Sequence, residues 1–167
     1  ESSEDELLEM MNYIKKRKNE EMMGGTMNHG KRENKNLARQ AATYLRKSDG
    51  PRVAVFEVNG FDTHAAQGGV DGSHTKSLVE MDEIINNLKD NLQEAYKDTI
   101  ILTVTEFGRT IKQNGGNGTE HGYGTAIFMA GGLLKKSQVH TDWPGLKRKE
   151  MYEGRDLNAT IDARSVY

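Results

Sequence analysis

The chain has 167 residues, enough for one domain with a buried core, and its 35% hydrophobic and 29% charged residues are typical of a polar globular protein. Its 23 basic and 25 acidic residues leave a net charge of −2, so charge gives no reason to expect nucleic acid or an anionic membrane as a partner. There is no cysteine, which excludes disulfides and thiolate nucleophiles, and no apolar run approaches the ~20 residues that span a bilayer.

Apolar residues at helical spacing predict three helices in the first two thirds of the chain. The first covers residues 2–18, and a glycine-rich loop over residues 20–30 separates it from a second over residues 33–47. The third, over residues 73–96, has the clearest apolar stripe. Its members recur every three or four residues: Leu78, Met81, Ile84, Ile85, Leu88, Leu92 and Ala95.

Short β-branched and aromatic runs predict three strands, over residues 53–58, 99–104 and 125–130. The order strand, long helix, strand is a βαβ unit, which implies parallel strands. We therefore expect an α/β fold with a parallel-rich sheet flanked by helices.

The carboxyl-terminal part has weaker patterns. Residues 135–146 predict a short edge strand and a turn, and residues 155–167 start a helix near Thr160 or Asp162. This helix is cut off as it begins, and the chain starts at Glu1 rather than Met. We therefore expect a single α/β domain over residues 1–167 that is part of a larger one.

Polar segments follow the first two predicted strands, and the ends of parallel strands meet at one edge of a sheet. Asp62 and His64 follow the first strand, Glu106 follows the second, and His121 precedes the third. Carboxylate oxygens and imidazole nitrogens are ligands for Zn²⁺, and oxygens for Ca²⁺ or Mg²⁺, so these four residues predict a divalent metal site. The alternative is that Asp62 caps a turn and His64 binds backbone.

Arg109 lies at the same predicted edge, where a guanidinium can hold a phosphate, sulfate or carboxylate with two hydrogen bonds. The alternative is a salt bridge to a loop carboxylate such as Glu106. The glycine-rich residues 113–124 do not form a phosphate-binding loop, because no Gly-Lys-Ser/Thr follows them, and residues 114–117 are typical of a flexible surface loop. A Gly-x-Ser-x-Gly nucleophile motif is also missing.

Five motifs in order resemble the domain-of-unknown-function family 1501: VFEVNGFDTHAAQ, ILTVTEFGRT, NGTEHGYGTAIFMAGG, DWPGL and RDLNATIDARSV. The resemblance covers residues 35–167, whereas residues 1–34, predicted as a helical extension and loop, match only loosely. The family is similar to the alkaline phosphatase and sulfatase superfamily, which implies an alkaline-phosphatase-like fold. It is usually exported by the twin-arginine route, so the resemblance also implies an exported protein.

For function, the resemblance implies a metal-dependent phosphatase-like or sulfatase-like hydrolase acting on an anionic small molecule or ester. Asp62, His64 and His121 match metal-ligand positions, while Glu106-Phe107 stands where the superfamily commonly has Asp-His. We expect Glu106 and Arg109 to be catalytic, with Arg109 steadying the transferred group, and the nucleophile to lie outside this chain. The alternatives are a non-catalytic exported binding protein and a metal that serves structure alone.

Overall fold

Two α-helices form the main packed unit of the structure, a computed structural model that describes residues 27–166 and the side chains of residues 33–166. Helix α1 spans Met27–Leu45 and helix α2 spans Ser73–Leu92. Both lie where periodicity predicts helices, although α1 also includes residues 27–30, which their glycine-rich surroundings predict to be a loop. The predicted helix over residues 2–18 lies outside the described residues.

The hydrophobic core lies where α1 and α2 pack against each other. Its buried residues are Ala38, Ala42, Ile84, Leu88 and Leu92. The two alanines are four residues apart, so they lie on one face of α1, and their small side chains let α2 approach closely. Beside the core, Lys35 Nζ lies 3.0 Å from Glu83 Oε2 and links the two helices by an ion pair.

The β-structure of the described residues is small and antiparallel. Strand β1 (Ile101–Leu102) pairs with β4 (Met129–Ala130), and β2 (Gly108–Arg109) pairs with β3 (His121–Gly122). The predicted parallel-rich, alkaline-phosphatase-like sheet flanked by helices is therefore wrong. Apolar runs indicate where backbone is suited to a strand, but they carry no information about the direction of the neighbouring strand, which depends on tertiary contacts.

Residues 53–58 account for much of this difference. They form no strand in the structure, although their composition is β-branched and aromatic. Phe56 and Val58 pack against the core, whereas Val53 and Val55 are 75% and 90% exposed. A strand needs hydrogen bonds to a neighbouring strand, which composition alone cannot supply. Without this first strand the predicted βαβ unit does not form.

The other elements are short 3-10 helices. One, Gln93–Asp98, follows α2 directly, and Gln93 has a φ of 53°. The predicted helix over residues 73–96 is therefore α-helical only as far as Leu92 and continues as a 3-10 helix. Two more span Arg148–Glu150 and Ala163–Ser165, and the second lies near the predicted helix start at the end of the chain. Residues 135–146 contain no strand. Among the described residues, every helix is too short or too polar to span a bilayer.

Candidate metal site

The segment over residues 59–64 is held against helix α2. Ser77, which is buried on α2, donates a hydrogen bond through Oγ to the carbonyl oxygen of Gly60 at 2.9 Å. Gly60 has a φ of 101°, and a Cβ there would lie only 2.9 Å from Ser77 Oγ. Glycine thus permits both the backbone angle and the close approach. The contact anchors the segment that carries Asp62 and His64.

Strands β2 and β3 bring a second segment to the same place. Arg109 pairs with His121 in their register, and Gly108 pairs with Gly122. A Cβ on Gly108 would lie 1.8 Å from the carbonyl oxygen of Gly124, and one on Gly122 would lie 2.5 Å from the carbonyl carbon of Arg109. The pairing of the two strands therefore depends on glycine at both positions.

Hydrogen bonds join these two segments into one unit. The backbone N–H of Thr119 donates to the carbonyl oxygen of Thr63 at 3.1 Å, and Ala65 forms an antiparallel bridge with Asn117. Gln67 Oε1 accepts from the hydroxyls of both threonines, at 2.9 Å from Thr63 and 2.8 Å from Thr119. Residues far apart in sequence are thus held side by side without a parallel sheet.

At this junction Asp62, His64 and His121 form a compact cluster. Asp62 Oδ1 lies 3.0 Å from His64 Nε2 and 3.1 Å from His121 Nε2, and the two nitrogens are 3.1 Å apart. Ligands around a tetrahedral zinc ion at ~2.0 Å lie about 3.3 Å from one another. The side chains are 51%, 45% and 50% exposed, respectively. The cluster therefore has the size of a metal-ligand set and is open to solvent.

Arg109 holds the carboxylate of this cluster. Its Nη1 donates to Asp62 Oδ1, its Nη2 to the carbonyl oxygen of Thr119, and its Nε to Thr119 Oγ1 at 2.9 Å. Residual desolvation raises the pKa of Asp62, but the hydrogen bond from Arg109 and the nearby histidines outweigh it, so the net pKa lies below the ordinary value. Asp62 is thus a charged carboxylate, and the ion pair considered for Glu106 is made with Asp62 instead.

A second carboxylate contacts the outer nitrogen of His64. Glu120 Oε2 lies 3.1 Å from His64 Nδ1, and Glu120 Oε1 accepts a hydrogen bond from Asn114 Nδ2 at 2.6 Å. The hydrogen bond from Asn114 lowers the pKa of Glu120, residual desolvation raises it, and His64 lowers it further, leaving the net pKa below the ordinary value. The tautomer of His64 that has its proton on Nδ1 donates a hydrogen bond to this carboxylate.

Asn114 ties the glycine-rich segment to the cluster. Besides its bond to Glu120, its Nδ2 donates to the carbonyl oxygen of His64 at 2.8 Å. Its Oδ1 accepts from the backbone N–H groups of Gly116 and Gly118, both at 2.9 Å. Composition predicts a flexible loop here, but these bonds give residues 114–118 a defined turn against His64.

The remaining predicted residue, Glu106, lies apart. It is exposed and does not belong to the cluster of metal-ligating groups found among the described residues. Its neighbour Phe107 instead contacts the cluster, because its ring stacks on the His121 imidazole at a centroid distance of 3.7 Å and an interplanar angle of 15°. The ligand and catalytic roles of Glu106 stay predictions.

Sequence reasoning did not find Glu120, Asn114 or Gln67 as parts of the site. Glu120 adjoins His121 in sequence, yet its contact is with His64, 56 residues away. Asn114 lies among glycines, where an asparagine is ordinary in a turn. Adjacency to His121 was the one local signal that could have drawn attention to Glu120.

Comparisons with known proteins identify the family of the chain and nothing more specific. Neither the curated proteins nor the solved structures gave a match. The sequence model of the family described as "Protein of unknown function (DUF1501)" matches residues 4–165, nearly the whole chain. The match also includes most of residues 1–34, which were expected to match the family only loosely. The chain belongs to this family, as its ordered motifs predict.

Proposed function

We propose that the protein binds a divalent metal ion through Asp62, His64 and His121, with zinc as the first candidate. The proposal rests on one observation, the three mutual distances of 3.0 to 3.1 Å between one carboxylate oxygen and two imidazole nitrogens. Two imidazoles suit zinc or a similar transition metal better than Ca²⁺ or Mg²⁺, which prefer oxygen ligands. Fe²⁺ also binds sets of two histidines and one carboxylate, so it belongs among the metals tested.

The exposure of the cluster favours a reactive site over a purely structural one. Structural zinc sites are closed by four protein ligands, whereas catalytic sites have three and leave a position open for water or substrate. Here three side chains converge, and each is about half exposed. A small anion can therefore approach the cluster from solvent.

The reaction that fits such a site is hydrolysis of a phosphate or sulfate ester, which the family resemblance also implies. A bound cation would polarise a phosphoryl or sulfuryl oxygen as a Lewis acid. Asp62 supplies negative charge to hold the cation, and Arg109 keeps that carboxylate in place. The nitrogens of Arg109 donate to Asp62 and Thr119, which supports a positioning role for Arg109 rather than direct contact with the transferred group.

Metal analysis and ester assays test this proposal. The purified protein encoded by the complete gene, which includes the nucleophile expected outside these residues, is loaded with Zn²⁺, Fe²⁺ or Mn²⁺. Its metal content is measured, and hydrolysis of p-nitrophenyl phosphate and p-nitrophenyl sulfate is followed. We expect one metal per chain and turnover that His64→Ala and His121→Ala both remove. His140→Ala is the matched control, because His140 is exposed and lies outside the cluster.

Each other outcome has a defined meaning. Binding of metal without turnover would reject the hydrolase and leave a structural metal or a non-catalytic binding protein. A loss of folding in metal-loaded His64→Ala would favour the structural role. A wild-type chain that takes up none of the three metals would reject the whole proposal.

We further propose that the protein is exported, as the family resemblance implies. Fractionation of cells that carry the complete gene tests this directly. Recovery of the protein with the cytoplasmic fraction would contradict it.

A further inference from the structure

The carboxylate of Glu120 lies behind His64, on the side away from the proposed metal. Its Oε2 is 3.1 Å from His64 Nδ1, while His64 Nε2 faces Asp62 and His121. We infer that Glu120 is a positioning residue, which keeps the proton of His64 on Nδ1 and directs the Nε2 lone pair towards the metal. The inference rests on the proposed metal site and assigns a role to a residue outside the ligand set.

The chemistry follows from the two nitrogens of imidazole. A neutral imidazole has one N–H and one lone pair, and only the nitrogen with the lone pair can bind a metal. A metal bound at Nε2 takes the lone pair of that nitrogen, so the single proton of a neutral His64 then lies on Nδ1, where Glu120 Oε2 is placed to accept it. The same contact fixes the ring plane and raises the basicity of Nε2, and such outer carboxylates typically contribute 10–100-fold to metal affinity.

Asn114 gives Glu120 its own fixed orientation. Its Nδ2 donates to Glu120 Oε1 at 2.6 Å, which leaves Oε2 for His64. Both carboxylate oxygens therefore have assigned donors. A glutamine has almost the same shape but only one oxygen, so its NH₂ group would face either Asn114 Nδ2 or His64 Nδ1–H, donor against donor. Glu120→Gln should consequently disturb the site without creating a cavity.

The second histidine of the cluster is held in another way. The ring of His121 stacks on Phe107 with a centroid distance of 3.7 Å, which restrains its plane through packing. Glu120 immediately precedes His121 in the chain, but its carboxylate contacts the other histidine, His64. Removal of that carboxylate should therefore affect His64 before His121. The ¹⁵N chemical shifts of the two imidazoles can distinguish an effect on His64 from an effect on His121.

The experiment is a zinc titration of the full 167-residue chain against a chromophoric chelator, for wild type, Glu120→Ala, Glu120→Gln and the control Glu57→Gln. Glu57 is exposed and lies outside the site. We expect both Glu120 variants to bind zinc 10–100-fold more weakly and Glu57→Gln to match wild type. In parallel, long-range ¹H–¹⁵N spectra of the zinc-loaded protein should record a protonated Nδ1 on His64 of wild type, with a changed His64 signal in Glu120→Gln.

The outcomes separate this inference from the metal proposal. If wild type binds zinc and both folded Glu120 variants bind it equally well, Glu120 has no positioning role, while the metal site stands. If wild type binds no zinc, both ideas are rejected. If Glu120→Ala fails to fold, as judged by circular dichroism, the near-isosteric Glu120→Gln variant decides the question.

Discussion

Arg109 donates through Nη1 to Asp62 Oδ1, the same oxygen that lies 3.0 Å from His64 Nε2. One carboxylate atom thus receives a fixed cation from one side and faces two imidazoles on the other. The guanidinium is largely buried, with 17% of its side chain exposed, so its position is set by the protein rather than by solvent. The charge and geometry of Asp62 should therefore depend on Arg109.

Replacement of Arg109 by lysine should weaken zinc binding about as much as replacement by alanine, roughly 10-fold for loss of an outer contact of this kind. Lysine keeps the positive charge but lacks the planar fork that serves Asp62 and Thr119 together. The measurement is a zinc titration of both variants, with Arg52→Lys as the control at an exposed arginine. Full affinity in Arg109→Lys would mean that charge alone matters and that the fork does not.

Two glycines of the same loop should differ in their tolerance of alanine. A Cβ on Gly118 would lie 2.3 Å from the carbonyl carbon of His64 and 2.5 Å from the carbonyl oxygen of Thr63, whereas a Cβ on Gly115 meets nothing within 4 Å. Gly118→Ala should cost roughly 1–3 kcal/mol in unfolding free energy by overpacking and should also weaken zinc binding. Gly115→Ala should stay within about 0.5 kcal/mol of wild type.

Urea unfolding of the two glycine variants checks this contrast. Equal stability would indicate that the Gly118 backbone can move away from His64 at little cost, and the close approach would then not define the site.

Zinc should raise the melting temperature, because the three ligands meet only in the folded chain and the metal therefore binds the folded state in preference to the unfolded state. At 100 times the dissociation constant the stabilisation is about 2.7 kcal/mol. For a chain of this size that corresponds to roughly 5–10 °C. The chelator EDTA should reverse the shift, and Asp62→Asn should remove most of it. Asp142→Asn, at an exposed position, should retain the full shift.

Differential scanning fluorimetry with and without zinc gives this measurement. A shift that persists in Asp62→Asn would place the stabilising metal elsewhere on the protein.

The packing of α1 on α2 should dominate the stability of the described unit. Leu92 is 1% exposed, so Leu92→Ala removes buried methyl groups and should lower the unfolding free energy by about 2–5 kcal/mol. Leu133 is 52% exposed, and Leu133→Ala should have a much smaller effect. Thermal unfolding followed at 222 nm compares the two. Similar losses in both variants would mean that Leu92 is not in the stabilising core.

Helices were largely predictable from the sequence, because their hydrogen bonds are local and their apolar faces recur every three or four residues. Both described helices lie where such spacing occurs, and Leu88 and Leu92 are buried as the stripe over residues 73–96 predicts. Strands were not predictable in the same way. Ile101 pairs with Ala130 in antiparallel register, a choice made between segments that are distant in sequence.

For the candidate site, the sequence by itself determined which metal-ligating residue types the chain contains, with Asp62 and His64 in one motif and His121 in another. It also determined the family to which the chain belongs. Tertiary structure alone decided that these three meet, that Arg109 serves Asp62, and that Glu120 lies behind His64. The physical reason is the separation in sequence between the residues that make these contacts. Composition and periodicity report local backbone preferences, whereas the contacts of Asp62 with Arg109, of His64 with Glu120 and of His64 with His121 join residues 47 or more positions apart.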